Sequence, residues 1–193
     1  MPEKKVVFPG LEEIDAELRR IRAKRRRAKW RRAMLLLMVL ALIAGAVVSL
    51  NFFSFLKVSG NSMEPTLKSG DVVLYRKEAS LDPDSIVVIE RSGTTIVKRI
   101  IGIAGDIISI TATGSVYVNG KLLEEDYLDD KSLGNGDLTY PVTVPENCYF
   151  VMGDRRSTSF DSRTSALGMV KADEIKGELL GVIWPAYRIG WVQ

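Results

Sequence analysis

The sequence predicts a mainly β protein: an antiparallel β-sheet domain with a small β insertion, preceded by an N-terminal helix and one transmembrane helix. Three observations carry this expectation. Residues 34–50 (MLLLMVLALIAGAVVSL) are apolar apart from one serine. After Leu56 the chain becomes a series of short β-branched and aromatic runs divided by turn residues. No long amphipathic helical period follows Leu56.

The N-terminal segment, 1–33, holds 12 Lys/Arg against 5 Asp/Glu, a net of +7, whereas the rest of the chain is net −4. Leu11, Ile14, Leu18 and Ile21 recur at helical spacing, with acidic residues early and arginines late. That order suits the helix dipole and predicts an amphipathic cytoplasmic helix; a partly disordered basic tail is the alternative. The apolar run extends through NFFSFL to residue 56, giving 23 residues for a span over 34–56. About 20 apolar residues cross a bilayer core as a helix. The preceding RAKRRRAKWRR is basic, so the N-terminus is expected in the cytoplasm and residues 57–193 outside it.

Two competing readings of this region are weaker. Ala44-Gly45-Ala46 imitates the cleavage site of a secretory signal, but the apolar run continues through Val47 and Val48. The arginine cluster could serve as a nucleic-acid patch, but against a membrane span it fits topology and contact with anionic lipid better.

In the external part, DVVLYRK, SIVVIE, TTIVKRIIGI, DIISI, SVYV and CYFVM read as strands. Asp82-Pro83-Asp84, Ser92-Gly93 and Asn119-Gly120 punctuate them, and the last is a two-residue hairpin signal. Residues from about 111 to 144 are rich in Gly, Asp and Glu and read as the insertion.

Composition narrows the chemistry. The chain has no histidine, which removes Ser-His and Cys-His mechanisms. Cys148 is the sole cysteine, so no intrachain disulfide forms, and it reads as a small core residue. A metal site would have only carboxylates to draw on, so none is expected. Proton transfer near neutral pH falls to Lys, Asp, Glu, Tyr or water.

Three stretches stand out. SGNSMEPTLKSGD, residues 59–71, carries Ser62 among turn formers. In TTIVKRIIGIAGD, alternation puts Ile96, Lys98 and Ile100 on one strand face and Val97, Arg99 and Ile101 on the other. Apolar neighbours lower a lysine pKa from about 10.4, and a lysine brought to about 7–8 can act as a general base. Taken alone, a strand lysine is more commonly an exposed edge residue. The third stretch, GDRRSTSFDSRTSALG at 153–168, crowds hydroxyls among Asp154, Arg155, Arg156, Asp161 and Arg163. It is either a polar surface loop or a rigid network in which aspartates pair with arginines.

Together, and in this order behind an N-terminal anchor, the three stretches resemble the signature boxes of the bacterial type I signal peptidases. These are membrane-bound serine proteases with a Ser/Lys dyad. The likeness runs from about residue 58 to the closing GELLGVIWP and is nearest the shorter Gram-positive type. It implies Ser62 as nucleophile, Lys98 as general base and Ser159 as the residue orienting the lysine. It further implies Asp154, Arg156, Asp161 and Arg163 as a supporting network, with Gly153 at a tight turn. Val58, Met63, Leu67, Ile96 and Val97 would line pockets for small side chains. The implied partners are secretory preproteins and membrane lipids; no cofactor and no nucleic acid are expected, and oligomeric state is left open.

The sequence departs from the family pattern in places. Gly60 stands where some members carry a serine that donates to the oxyanion, leaving the Ser62 N–H as the one nameable donor. Arg155, Ser157 and Thr158 replace the asparagine, aspartate and asparagine frequent in the last box. Two other readings remain. One is a self-cleaving Ser/Lys protease of the SOS-repressor type, although no helix-turn-helix precedes residue 34. The other is an anchored, non-enzymatic β-domain.

Overall fold

The computed structural model describes residues 11–77 and 81–192, without the side chains of 11–18, 21, 23 and 28. The expected amphipathic face of Leu11, Ile14, Leu18 and Ile21 therefore lies outside the described residues. The chain forms two compact units that divide between Ser49 and Leu50.

The first unit is built on the helix α1, Leu11–Phe52. Within it, residues Lys24–Phe52 are long and apolar enough to cross a membrane, with a mean hydropathy of 2.8 over the most apolar window and none of that window buried. The helix ends four residues short of the expected boundary. Phe53–Lys57 is strand β1, and it pairs from Phe53↔Arg76 to Lys57↔Val72. The sequence FSFLK, with aromatic residues two apart, suits an extended backbone, and its pairing outweighs the apolar composition that suggested more helix.

The second unit contains two antiparallel sheets. The strands are β2 (Val72–Arg76), β3 (Ile86–Arg91), β4 (Thr94–Gly102), β5 (Ile107–Ile110), β6 (Val116–Val118), β7 (Lys121–Leu122), β8 (Val142–Thr143), β9 (Cys148–Met152), β10 (Val170–Lys171), β11 (Ile175–Trp184) and β12 (Gly190–Trp191). The larger sheet runs β1-β2-β11-β3-β4-β9-β10, with β12 paired to β11. The smaller runs β7-β6-β5-β8. The fold is thus mainly antiparallel β behind one apolar helix, as expected, although the smaller sheet begins at Ile107 rather than near residue 111.

Two hairpins have the geometry their dipeptides call for. Ser92-Gly93 joins β3 to β4 and Asn119-Gly120 joins β6 to β7, and both residues of each pair have positive φ. That is the turn whose twist matches the flanking strands. The β3–β4 hairpin sets the register Val87↔Lys98 and Val88↔Val97. Alternation then sends Ile96 and Ile100 into one apolar cluster with Val87, Ile89 and Val151, and Val97 into another with Val58, Met63 and Leu67. A third cluster joins the two sheets, with Ile108 and Val116 from the smaller packed on Phe150 and Met152 from the larger.

Candidate active site

Ser62 sits on a turn that follows β1. Val58 N–H donates to Asp71 O at 2.8 Å and Gly70 N–H to Val58 O at 2.9 Å, closing the loop that carries it. Within the loop, Glu64 N–H donates to Asn61 O and Leu67 N–H to Met63 O, so residues 61–67 form one tight coil. Ser62 N–H donates to no protein group among the described residues, which leaves it available to a ligand. Its carbonyl accepts from Arg155 N–H at 3.0 Å.

Lys98 lies in the middle of β4 and is 3% exposed. Its Nζ donates to Ser62 Oγ at 2.7 Å. Burial lowers its pKa from the ordinary lysine value to about 8, partly offset by the nearby Asp161 and Asp154 carboxylates, while Arg163 pushes the same way as burial. The structure therefore brings together a serine hydroxyl and a lysine amine that gives up its proton more readily than an ordinary lysine, at about 8. The contact is within the reach needed for proton transfer.

The loop from Gly153 to Arg163 lies behind this pair. Asp161, fully buried, accepts from Gly153 N–H at 3.0 Å and from Arg163 Nε and Nη2 at 2.8 and 2.9 Å. Burial opposes its ionisation, but the Arg163 guanidinium overrides this and holds the carboxyl below the usual range. Arg163 is anchored in turn on the carbonyls of Ser132, Leu133 and Arg156. Asp154 pairs outside the loop, taking Arg99 Nε and Nη2 at 3.0 and 2.9 Å. Arg156 pairs with neither aspartate. Its Nη2 donates to Glu125, a buried residue of the inserted segment, and its Nε to Gly153 O.

Two expectations look different in three dimensions. Ser159 is buried and its hydroxyl lies on the Asp161 side, helping to hold that carboxyl low, and the contact to Lys98 expected of it is not made. Gly153 does not have the positive φ of a turn glycine. Space is what requires it: a Cβ there would lie 2.2 Å from Ser159 Oγ and 2.5 Å from Ser62 O.

A cavity of about 280 Å³ contains Ser62 and Lys98 and is lined by Val58, Met63, Ile96 and Val97. Leu67 is fully buried behind Met63 and does not line it. A larger cleft of about 560 Å³, between Thr66 and Trp191, holds neither member of the pair. Among the described residues there is no His/Cys/Asp/Glu group able to hold a metal.

Sequence reasoning missed Arg99, Glu125 and Thr66, whose Oγ1 donates to Asp154 Oδ2 at 2.5 Å. Arg99 did leave a signal: a second cation beside Lys98 in an otherwise apolar strand needs a buried anion. Glu125 and Thr66 left none, because their partners are 31 and 88 residues away.

An antiparallel β domain behind one candidate membrane span, with a serine hydroxyl against a buried lysine amine and no histidine, has the make-up of a membrane-anchored serine peptidase. Comparison with known proteins agrees. The family model for signal peptidase, peptidase S26, matches residues 30–184, and the chain belongs to that family. It is 36% identical over 176 residues to signal peptidase I U of Bacillus subtilis (strain 168), covering 84% of this chain and 91% of that one. It is 32% identical over 195 residues to a signal peptidase I of Streptococcus pneumoniae serotype 4, covering 81% and 93%. A crystal structure of a signal peptidase I from Enterococcus faecalis V583 covers 52% of this chain and 97% of its own at 31% identity. The TM-score of that superposition is 0.42.

Proposed function

We propose that this serine peptidase removes N-terminal signal peptides from secreted preproteins after small-x-small sites, with Ser62 as nucleophile and Lys98 as general base. The observation that carries the reading is the 2.7 Å contact between a buried amine and a hydroxyl. In its neutral form Lys98 takes the Ser62 proton as Oγ attacks the scissile carbonyl. The Ser62 N–H donates to the developing oxyanion; losing one such donor costs about 10²–10³ in rate. The lysine ammonium then protonates the departing amine of the mature protein. Lys98, neutral again, deprotonates a water that hydrolyses the acyl ester, and the proton returns to Ser62 Oγ.

Val58, Met63, Ile96 and Val97 offer an apolar lining suited to small side chains before the cut. Asp161, Arg163, Asp154 and Arg156 brace the dyad, and no cofactor enters any step. The basic residues before the span place the N-terminus in the cytoplasm and the β domain outside, with anionic lipid as their contact. Anchoring both enzyme and preprotein in one membrane raises their effective concentration.

The test is incubation of the detergent-solubilised full chain with a signal-peptide-bearing preprotein, reading the new N-terminus by mass. Wild type cleaves after a small residue; Ser62→Ala and Lys98→Ala each lose activity by 10³-fold or more while remaining folded. Near-normal turnover in either variant refutes the dyad.

A further inference from the structure

We propose that Thr66 is a positioning residue that sets the separation between Ser62 and Lys98 by tying the nucleophile turn to the strand bearing the base. The proposal rests on the Ser62–Lys98 reading above, and on a hydrogen-bond route through Asp154 that the roles assigned so far do not use.

Asp154 holds two things at once. Its Oδ1 and Oδ2 accept from Arg99 Nε and Nη2, and Arg99 is the immediate neighbour of Lys98 on β4. Its Oδ2 also accepts from Thr66 Oγ1 at 2.5 Å. Arg99 is itself fixed, with Nη1 donating to Asp84 O at 3.0 Å and Asp84 Oδ1 at 3.1 Å, and with its guanidinium 3.9 Å from the Tyr127 ring centroid. Apart from the dyad contact, this is the one route among the described residues by which side-chain hydrogen bonds join β4 to the nucleophile turn.

Thr66 transmits position because it is four residues from Ser62 inside the same coil. The Glu64–Asn61 and Leu67–Met63 backbone bonds make that coil a single stiff piece. Its far side is fastened too. Arg188 Nη2 donates to Thr66 O at 3.1 Å, and Arg188 Nε grips both oxygens of Asp71 at 3.0 and 3.1 Å. Asp71 in turn accepts from Lys68 N–H. The coil is thus held at Thr66 from two directions, by its hydroxyl towards β4 and by its carbonyl towards the C-terminal segment.

The chemistry is sensitive to this placement. Proton transfer needs about 2.6–3.2 Å between heavy atoms. A displacement of about 1 Å in a catalytic group can cost about 100-fold. Removing the Thr66 donor leaves Asp154 bound to Arg99 alone and releases the coil from β4 on that side.

The experiment uses the detergent-solubilised full chain and a signal-peptide-bearing preprotein. Thr66→Val keeps the shape and removes the hydroxyl; Thr66→Ala, which adds no bulk, is measured alongside; Thr66→Ser keeps the donor. The expected result is a kcat lowered about 10–100-fold in Thr66→Val and Thr66→Ala, with KM within twofold. Thr66→Ser should be within threefold of wild type. Because threonine carries no charge, the acid limb of the pH profile should keep its midpoint while the plateau falls. A kcat within threefold of wild type in Thr66→Val, or an equal loss in Thr66→Ser, overturns the proposal. So does a moved midpoint with the plateau intact, since the residue would then tune protonation and not distance. If Ser62→Ala cleaves as well as wild type, the dyad itself has failed, a result distinct from any of these.

Discussion

In the proposed mechanism Lys98 is the base, and its surroundings disagree about its charge. Burial removes water from the amine and lowers its pKa; Asp161 and Asp154 pull it back up, and Arg163 again lowers it, with about 8 as the balance. The amine must be neutral to act as base, so activity should rise with pH through this value. Below about 7 it should fall close to tenfold per unit as the ammonium takes over. A kcat/KM profile of wild type over pH 5.5–10 checks this. An acid limb centred near 4–5 would point to a carboxylate base and sink the lysine assignment. The pair was legible through the likeness of three stretches to known signature boxes; the absence of histidine and the apolar neighbours of Lys98 kept that reading open but did not by themselves select it. The sequence did not reveal the partners that hold the pair. Asp154–Arg99 and Arg156–Glu125 join residues 55 and 31 apart, and such pairings leave no local pattern. Where the buried Ser159 hydroxyl ends up likewise depends on how the loop packs, which spacing does not encode.

At the level of elements, what was legible followed from period and turn chemistry. The runs that became β2 through β6 and β9 are β-branched, and their two hairpin turns have the residues that tolerate positive φ. One interior strand of the larger sheet, between β2 and β3, was not read. β11, IKGELLGVIW, contains two glycines, a lysine and a glutamate, and register shifts against both β2 and β3 break its period of two. Its charged residues are paired, Glu178 accepting from Arg76 Nη2 and Ser85 Oγ at 3.0 Å each and Lys176 lying 3.5 Å from Glu90. The end of β9 is where elements meet the site. Gly153, directly after Met152, lets the last loop approach the nucleophile turn closely enough for Arg155 N–H to reach Ser62 O. In Gly153→Ala the new Cβ would meet Ser62 O, a backbone atom that cannot swing aside, at 2.5 Å. The turn must move, so Gly153→Ala should lose about 1–3 kcal/mol of stability. It should also lose activity at temperatures where it remains folded. Thermal unfolding and turnover measured on one preparation separate the two effects, and unchanged turnover would show that the turn absorbs the methyl without shifting Ser62.

Across the whole molecule, charge is divided by position: a strongly basic segment precedes the apolar helix and a mildly acidic chain follows it. Positive residues resist transfer across the membrane, so the proposed orientation leaves the basic end in the cytoplasm and the β domain outside. The chain carries its own reporter of this. Cys148 is the sole cysteine, lies at the start of β9 in the second unit and is partly exposed. A membrane-impermeant maleimide applied to intact cells lacking their outer wall should label it without permeabilisation. Denaturation beforehand should raise the yield but not change which side reacts. Replacing Arg25, Arg26, Arg27, Arg31 and Arg32 by glutamate removes the positive excess beside the span, so external labelling should fall and appear after permeabilisation. Preprotein cleavage should fall in parallel, because an inverted domain faces the wrong side from its substrate's cut site. Labelling of the wild-type chain that requires permeabilisation would reverse the proposed topology while leaving the dyad chemistry untouched, since no step of that chemistry depends on which side of the membrane it occupies.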